Sequence, residues 1–257
     1  MVTTTRQHHL NPTLTVLVTG AASGIGAAQA QAFLQAGHHV FALDLVQADS
    51  WADWQQRYPG RFAWATGDVS NQAAVQTAVH QLIQQFGKLD VVCNTAGILD
   101  GFAKLEAMSL AQWQQVLAVN VTGAMLVTQA ALPHLLAQPA SRVINMASIA
   151  SLTAGGGGIA YTTAKHALAG FTKQMAYDYA TTGLRVNAIA PGAIQTAMTA
   201  ADFEAEGELA QWVADQVPTK RWAQADEVAA LSLFLASDAA DYINGTIMPL
   251  DGGWLIR

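Results

Sequence analysis

The stretch Leu14–Gly26 reads LTVLVTGAASGIG, and it predicts the first strand, turn and helix of an α/β fold. Its first half is a short run of aliphatic and β-branched residues, which is typical of a buried parallel strand. The three glycines of its second half let the backbone turn tightly and come close to a ligand. The residues from Ile25 to Ala36 then have helical spacing, and Gly37 ends the pattern.

The same alternation of strand and helix continues along the chain. Further strands are predicted at 39–43, 61–65, 89–93, 142–147, 184–189 and 246–250, and helices at 71–86, 109–136, 160–180 and 225–236. This alternation predicts a Rossmann-type, doubly wound parallel sheet of about seven strands with helices on both faces. We expect one domain over residues 1–257, with a loosely ordered lead-in over 1–12 and a long irregular connection over 191–225 that serves as a substrate lid.

Composition narrows the classes of partner and the cellular compartment. Hydrophobic residues make up 52% of the chain and charged residues 12%, so both faces of a sheet can be covered. The net charge of −6, without a basic block, argues against a nucleic-acid or anionic-membrane partner. Cys93 is the only cysteine, so an internal disulfide is impossible and we expect a reducing cytoplasm. No uninterrupted apolar run reaches the roughly 18 residues of a membrane span, and the scattered histidines predict no metal site.

The glycine-rich turn is the first candidate for binding a ligand. Its spacing is Gly-x-x-x-Gly-x-Gly, and the helix that follows presents free N–H groups and the positive end of its dipole. Those groups suit a pyrophosphate. The residues expected to surround it are Gly20, Ser23, Gly24, Ile25 and Gly26. Taken alone, the turn also allows a purely structural interpretation.

An acidic residue, Asp44, ends the second strand eighteen residues after Gly26. A carboxylate at this place accepts hydrogen bonds from an adenosine ribose and repels a 2′-phosphate. Neither the glycine turn nor the residues after Asp44, beginning with Leu45, supply a basic side chain. The sequence therefore favours NAD over NADP. An ordinary turn aspartate is the alternative interpretation of this residue.

A serine, a tyrosine and a lysine form the candidate reactive group. Ser148 follows the predicted strand at 142–147, and Tyr161 and Lys165 open the next helix four residues apart, on one face. We expect the lysine charge to lower the pKa of the tyrosine, which can then exchange a proton with a carbonyl or alcohol near neutral pH. Taken singly, each of the three residue types is more often an ordinary turn, packing or surface residue.

Polar residues also follow the third and fourth strands, at the edge where a ligand would lie. Asp68 and Val69 follow the third strand, and Asn94-Thr-Ala-Gly97 follows the fourth. Asn120 interrupts an apolar helical pattern, where an asparagine either bends the helix or serves a site. Cys93 lies within a strand and is interpreted as a core residue rather than a nucleophile.

Together these residues resemble the short-chain dehydrogenase/reductase family, in its NAD-type, 3-oxoacyl reductase-like branch. The resemblance extends from about Leu14 to Leu250. It rests on Thr19-Gly-x-x-x-Gly-x-Gly26, Asp68, Asn94-Thr-Ala-Gly97, Asn120, Ser148, Tyr161-x-x-x-Lys165, and Pro191-Gly192 with Thr196. Two features depart from the family: Thr95 stands where a second asparagine is usual, and the glycine run at 155–158 removes side chains that relatives use to shape the substrate pocket.

The resemblance implies a role for each residue of a catalytic tetrad. Tyr161 would be the acid/base, and Ser148 would hydrogen-bond the same substrate oxygen. Lys165 would lower the tyrosine pKa and hold the nicotinamide ribose, and Asn120 would position a water. Further cofactor contacts are implied for Leu45, Asp68, Val69, Asn94, Ala96, Gly97, Pro191, Gly192, Ile194 and Thr196, and substrate contacts for Gly155, Met198, Phe203 and Trp212. Relatives are usually homotetramers, built partly on the helices at 109–136 and 160–180.

Three functions follow from these observations. The leading one is an NAD-dependent oxidoreductase that transfers a hydride between nicotinamide and a secondary alcohol or ketone. A 3-oxoacyl-(acyl-carrier-protein) reductase has the same chemistry, but such enzymes commonly favour NADPH and dock an acidic carrier through basic residues, whereas this chain is acidic. A non-catalytic dinucleotide-binding protein belongs to another class, and it has no need of Ser148, Tyr161 and Lys165 together.

Overall fold

The computed structural model describes residues 13–204 and 207–257, so the predicted lead-in over 1–12 lies outside the described residues. The strands are β1 (Thr15–Thr19), β2 (His39–Asp44), β3 (Phe62–Thr66), β4 (Val91–Asn94), β5 (Ser141–Met146), β6 (Leu184–Pro191), β7 (Ile194–Gln195), β8 (Ala223–Gln224) and β9 (Ile247–Leu250). The α-helices are α1 (Gly24–Gln35), α2 (Ser50–Arg57), α3 (Gln72–Phe86), α4 (Leu110–Leu117), α5 (Ala124–Leu136), α6 (Ile159–Asp178), α7 (Glu208–Gln216) and α8 (Ala225–Ala236).

Seven strands form one parallel sheet in the order β3-β2-β1-β4-β5-β6-β9. Strand order reverses between β1 and β4. Thr19 at the end of β1 lies beside Leu43 of β2, and Val18 lies beside Cys93 of β4, so the three strands end near the same edge. This arrangement confirms the predicted Rossmann-type sheet and makes the β1/β4 edge the expected ligand site.

Two hydrophobic layers cover the faces of the sheet, because successive strand residues point to opposite sides. In β1, Val16 and Val18 join the layer formed with α1, α2 and α8, whereas Leu17 joins the layer formed with α3, α5 and α6. The tryptophan-rich segment after β2, which the sequence pattern left without an assignment, forms α2. Its Trp51 and Trp54 rings are buried against Phe62 of β3, with centroids 6.1 and 5.4 Å away.

The helix predicted at 109–136 is continuous but irregular. A π-helix, Ala118–Gly123, joins α4 to α5. A Cβ on Gly123 would lie 2.7 Å from Cγ2 of Val69, so the glycine lets this helix pass close to the loop after β3. By length and composition, Leu110–Leu136 is also apolar enough to cross a membrane. An 18-residue window within it has a mean hydropathy of 1.5, and 44% of that window is buried inside the fold. Glutamine and asparagine residues interrupt this segment, so it contains no uninterrupted apolar run of that length.

The described part of the predicted lid is more regular than expected. Between Pro191 and Ala225 the chain forms β7, a 3₁₀ helix at Ala197–Phe203, α7 and β8, and β7 pairs with β8 in a separate parallel sheet. Thr196 and Thr199 form a capping box that starts the 3₁₀ helix. The indole N–H of Trp222 donates to the carbonyl of Ala210 at 2.8 Å, which ties α7 to β8. These bonds explain why the prediction of an irregular connection was wrong.

Candidate active site

A cavity of about 770 Å³ opens at the carboxyl ends of the strands, where strand order reverses. Its volume is within the range of roughly 300–1,000 Å³ that is usual for small-molecule sites. Nearly all of the predicted cofactor residues line it. They are Gly20, Ser23, Gly24, Ile25, Gly26, Asp44, Leu45, Asp68, Val69, Ala96, Gly97, Tyr161, Lys165, Pro191, Gly192, Ile194 and Thr196.

The glycine turn forms a cradle that larger residues would fill. Gly20 has a φ of +66°, and a Cβ there would lie 2.8 Å from Cα of Ala96. A Cβ on Gly26 would collide with the carbonyl oxygen of Gly20. The N-cap residue of α1, Ser23, makes no capping hydrogen bond with its side chain. The N-terminal end of α1 therefore faces the cavity without a side-chain acceptor, as a pyrophosphate requires.

The predicted ribose residue lies at the next strand end. Oδ2 of Asp44 accepts a hydrogen bond from the N–H of Ala22 at 2.9 Å, which fixes the carboxylate beside the glycine turn. Asp68 after β3 is held in a turn by Ser70, whose N–H and hydroxyl donate to Oδ1 at 2.8 and 2.7 Å. Among the described residues that line the cavity, Lys165 is the only lysine, arginine or histidine. The Asp44 carboxylate can therefore accept hydrogen bonds from a ribose, and the described wall supplies no cation beside it.

Ser148, Tyr161 and Lys165 meet at the opposite wall, and all three are buried. Ser148 precedes a short 3₁₀ turn, where its Oγ accepts from the N–H of Ala150 at 3.1 Å, and its side chain lies close enough to the Tyr161 phenol to lower the pKa of that phenol. Nζ of Lys165 lies 5.3 Å from the centroid of the Tyr161 ring. The same ammonium donates to the carbonyl of Met146, the last residue of β5, at 2.7 Å.

The predicted effect of Lys165 on the Tyr161 phenol is not met. Burial raises the pKa of Tyr161 above that of an ordinary phenol, and the Asp100 charge raises it further, while the bond with Ser148 lowers it. Burial also lowers the pKa of Lys165 to about 8. The ammonium points to the Met146 carbonyl, and the loss of hydration on burial dominates at both groups. The i, i+4 spacing predicted their proximity but could not include the cost of burying them.

Asn120 lies in the π-helix with its amide fully engaged. Its Oδ1 accepts from the N–H of Ile98 at 2.8 Å, and its Nδ2 donates to the carbonyl of Ile98 at 2.9 Å. A Cβ on Gly97 would lie 3.2 Å from Oδ1 of Asn120 and 3.6 Å from Nζ of Lys165, so the three residues converge. The amide therefore anchors the loop after β4, and its role in positioning a water stays a prediction.

Two predicted residues do not reach the cavity. Asn94 is buried in the core, where its Nδ2 donates to Oγ1 of Thr128 and Oδ1 of Asn145 at 2.8 and 2.9 Å. It joins β4 to β5 and α5 instead of binding a cofactor. Phe203 packs against Trp222, with ring centroids 5.0 Å apart, and Trp222 lines the cavity in its place. Both residues lie in the predicted segments, but their side chains pack against other parts of the fold and not against the cavity.

The predicted substrate residues Gly155, Met198 and Trp212 do line the cavity. The wall contains further side chains that sequence reasoning did not single out. They include Phe102, Gln115, Leu209, Trp222 and Trp254. These residues lie in the loop after β4, in α4, in α7, in the segment just before β8 and in the C-terminal 3₁₀ turn. No local motif marks them. Their meeting depends on contacts between distant parts of the chain.

Cys93 is fully buried in β4, and burial raises the pKa of its thiol, which supports its interpretation as a core residue. In residues 13–204 and 207–257, no group of three or more histidine, cysteine, aspartate or glutamate residues is arranged to hold a metal ion.

Comparisons with known proteins agree with this geometry. A family model described as enoyl-(acyl carrier protein) reductase matches residues 20–255. The chain is 39% identical to a 2-(R)-hydroxypropyl-CoM dehydrogenase of Xanthobacter autotrophicus, over 93% of this chain and 97% of the relative. It is 35% identical to a 3-oxoacyl-(acyl-carrier-protein) reductase of Thermotoga maritima, over 93% of this chain and 97% of the relative.

A solved structure of similar fold adds the cofactor class. It is described as an NAD(P)-dependent gluconate 5-dehydrogenase of Beutenbergia cavernae with NADP bound at low occupancy. The TM-score is 0.87 at 35% identity, and the match covers 95% of this chain and 97% of that one. The chain belongs to the short-chain dehydrogenase/reductase family, whose members bind a nicotinamide dinucleotide.

Proposed function

We propose that this protein is an NAD-dependent oxidoreductase that transfers a hydride between nicotinamide and a secondary alcohol or ketone, with Tyr161 as the acid/base. One observation carries the proposal: Ser148, Tyr161 and Lys165 are buried together on the wall of a cavity whose other end is the glycine cradle with Asp44. A phenol, a hydroxyl and an ammonium around one substrate oxygen are suited to proton transfer at a carbonyl.

The residues divide into those that hold the cofactor and those that act on the substrate. The cradle at residues 20–26 would hold the pyrophosphate at the N-terminus of α1, and Asp44 would accept hydrogen bonds from the adenosine ribose. When bound, the nicotinamide supplies or accepts the hydride. Pro191, Gly192, Ile194 and Thr196 line the part of the wall after β6 and would border its ring.

Tyr161 would give its phenolic proton to the carbonyl oxygen in the direction of reduction, and it would take the proton from the alcohol in the direction of oxidation. Because burial raises its pKa, the phenol is protonated at neutral pH and ready to donate. Ser148 would hydrogen-bond the substrate oxygen and hold it beside the phenol. Lys165, with its Nζ 5.3 Å from the ring centroid, would hold the nicotinamide ribose beside the phenol.

The preference for NAD is supported by the carboxylate of Asp44 and by the lack of a cation on this part of the wall among the described residues. The Beutenbergia protein binds NADP, so cofactor choice within such relatives has to be measured for each protein. We also propose a cytoplasmic enzyme that forms a homotetramer. The single buried thiol suits a reducing compartment, and the exposed Leu110 and Leu136 on the long helix suit contact with another subunit.

The similarity to the Thermotoga protein makes a 3-oxoacyl thioester reductase the second candidate. An acidic carrier protein or a phosphorylated thioester would need cations near the mouth of the site, and Lys165 is the only cation on the described wall. This candidate therefore ranks below the oxidoreductase that acts on free alcohols and ketones.

Initial rates with a panel of secondary alcohols and ketones test the proposal, measured with NAD(H) and with NADP(H). We expect turnover of free ketones with a preference for NADH. Turnover confined to acyl-carrier thioesters with NADPH would replace the proposal with the second candidate. Binding of NADH without turnover of any carbonyl or alcohol, thioesters included, would favour a non-catalytic dinucleotide-binding protein.

A further inference from the structure

Several exposed apolar side chains line the cavity. Phe102, Met198, Leu209 and Trp212 are 57%, 48%, 51% and 58% exposed, and all four line it. Exposed large apolar side chains that gather in one place usually mark a binding surface. Trp222 and Trp254 line the same cavity and are better covered. We call Phe102, Trp212, Trp222 and Trp254 the aromatic wall.

The backbone at Phe102 is strained, which supports a binding role for its ring. Phe102 has a φ of +57°, in the left-handed region that bulky residues rarely occupy. Its N–H donates to Oδ1 of Asp100 at 3.2 Å, and this bond helps to hold the conformation. Strain of this kind is found mainly at functional sites.

The charges on the cavity surface disfavour an anionic substrate. Lys165 is the only cation among the described lining residues, and its ammonium is bonded to the carbonyl of Met146. Three carboxylates, Asp44, Asp68 and Asp202, line the cavity. Asp44 and Asp68 lie at the cofactor end, whereas Asp202 lies on the same 3₁₀ helix as Met198, at the substrate end. A carboxylate, phosphate or sulfonate at the substrate end would lose hydration without gaining a cationic partner among the described lining residues, which is unfavourable.

We propose that the substrate is an uncharged secondary alcohol or ketone with a bulky, ring-bearing apolar group that packs against the aromatic wall. This inference rests on the proposed oxidoreductase function and adds the class of substrate. The reacting oxygen lies at Ser148 and Tyr161, and the apolar group extends toward Trp212. Anionic substrates of the same shape are disfavoured by Asp202 and by the lack of an available cation among the described lining residues.

A pair of ketones of the same shape tests the charge, and a third tests the size. Reduction of methyl 4-oxocyclohexanecarboxylate is compared with that of 4-oxocyclohexanecarboxylate and of butan-2-one, each with NADH. We expect kcat/KM for the ester to exceed that for the acid and for butan-2-one by at least about tenfold, which corresponds to about 1.4 kcal/mol. Equal or higher kcat/KM for the acid, or for butan-2-one, would overturn the inference.

Trp212→Ala tests the aromatic wall itself. We expect it to lower kcat/KM for the ester about tenfold, equivalent to about 1.4 kcal/mol, and to lower the value for the ester more than the value for butan-2-one. Tyr242→Ala is the control, since Tyr242 is fully exposed and does not line the cavity. An unchanged value for the ester would refute the wall. If no ketone is reduced with either cofactor, the proposed function itself fails, which is a different result from a wrong substrate class.

A second inference comes from the hydrogen bonds of a buried carboxylate, Asp100, in the loop after β4. Asp100 is 1% exposed. Its Oδ1 accepts from the N–H of Gly158 and its Oδ2 from the N–H of Tyr161, both at 2.9 Å. Gly158 is the N-cap of α6 and has no side chain to cap the helix. A Cβ on Gly158 would lie 2.5 Å from both carboxylate oxygens, so this glycine makes room for Asp100.

We infer that Asp100 is a positioning residue for Tyr161: it caps α6 from another part of the chain and joins the glycine run to the helix. The same carboxylate holds Phe102, so it links the aromatic wall to the reacting phenol. The charged groups that face Tyr161 are Asp100 and Lys165, and the Asp100 charge raises the pKa of the phenol. Asp100 therefore influences both the position of Tyr161 and the pH range in which its phenol titrates.

Two substitutions separate position from charge. Asp100→Asn removes the charge and also one of the two acceptors of the Gly158 and Tyr161 N–H groups. We expect the acid-side limb of the alcohol-oxidation profile (kcat/KM against pH), which rises as the phenol ionises, to move to lower pH. Asp100→Glu keeps the charge but displaces it, and we expect kcat to fall while that limb stays in place. Asp90→Asn is the control: Asp90 is also buried and accepts from the N–H of Thr15 at 2.7 Å, in a different part of the fold.

Thermal unfolding of each variant shows that the fold is retained before the profiles are compared. A profile that is unchanged in Asp100→Asn, or one that moves equally in Asp90→Asn, would contradict the role of the Asp100 charge. Unchanged kcat in Asp100→Glu would contradict its role in positioning Tyr161.

Discussion

Replacing Lys165 with methionine tests whether the buried ammonium carries the electrostatic cost that its surroundings imply. Burial lowers the pKa of Lys165 from 10.5 to about 8. Each pKa unit corresponds to about 1.4 kcal/mol, so the folded chain loses about 3 kcal/mol of stability by holding this charge at neutral pH. Methionine is of similar length and carries no charge, and it removes that cost together with the bond to Met146.

The pH dependence isolates the charge from the lost hydrogen bond. Because the folded chain binds this proton less tightly than the unfolded chain, the cost is fully present below pH 8 and disappears as the pH rises toward 10.5. The bond to Met146 contributes a different amount, but the Lys165 pKa alone sets this window. We therefore expect the stability of Lys165→Met relative to wild type to be about 3 kcal/mol more favourable at pH 7 than at pH 10.5.

Urea denaturation at pH 7, 9 and 10.5 measures the free energies of unfolding of both proteins. Lys173→Met is the matched control, because Lys173 lies exposed on the same helix and reports the effect of net charge alone. A difference between wild type and Lys165→Met that stays constant to within about 1 kcal/mol over this range, well below the value worked from the pKa, would refute the argument. The variant should also lose activity. Lys165 lies at the proposed site of chemistry, where a destabilising group is kept when the function requires it.

Three further predictions concern the cofactor half of the site and the core. Gly26→Ala should weaken NADH binding by at least about tenfold, equal to about 1.4 kcal/mol, because the added Cβ collides with the Gly20 carbonyl. A fluorescence titration measures the affinity. Gly170→Ala is the control: its Cβ meets open space, and it should leave NADH binding unchanged. Asp44→Asn should narrow the preference for NADH over NADPH about tenfold in steady-state kinetics, a change of about 1.4 kcal/mol, and an unchanged preference would reject the ribose role. The Cys93 thiol should resist a thiol reagent in the native protein and react on unfolding, because it is fully buried and its pKa is raised.

Much of the fold was predictable because its signals are local. The strands are short segments rich in aliphatic and β-branched residues, and the helix ends are marked by residues such as Gly37 and Gly87, both of which adopt a positive φ. The place of the site followed from the same pattern, since parallel strands end at one edge of the sheet. The cradle of Gly20 and Gly26 was predictable in kind, because only glycine allows so close an approach.

The features that the sequence could not predict depend on contacts between distant residues. Asn94 follows the pattern of a ligand-binding residue, yet its amide bonds to Thr128 and Asn145 in the core. The Tyr161 pKa is dominated by burial, which spacing along a helix does not reveal. The aromatic wall combines residues from the loop after β4, from α7, from the segment just before β8 and from the C-terminal 3₁₀ turn. No periodicity in the sequence links these segments.

The most direct test of the central claim is the steady-state kinetics of Tyr161→Phe. Phenylalanine keeps the ring and removes the hydroxyl that would exchange the proton. We expect kcat/KM for ketone reduction to fall by about 10²–10⁴-fold, while the affinity for NADH stays close to wild type. Tyr177→Phe, at an exposed position of the same helix, should leave both quantities unchanged. Turnover of Tyr161→Phe near the wild-type value would contradict the assignment of Tyr161 as the acid/base.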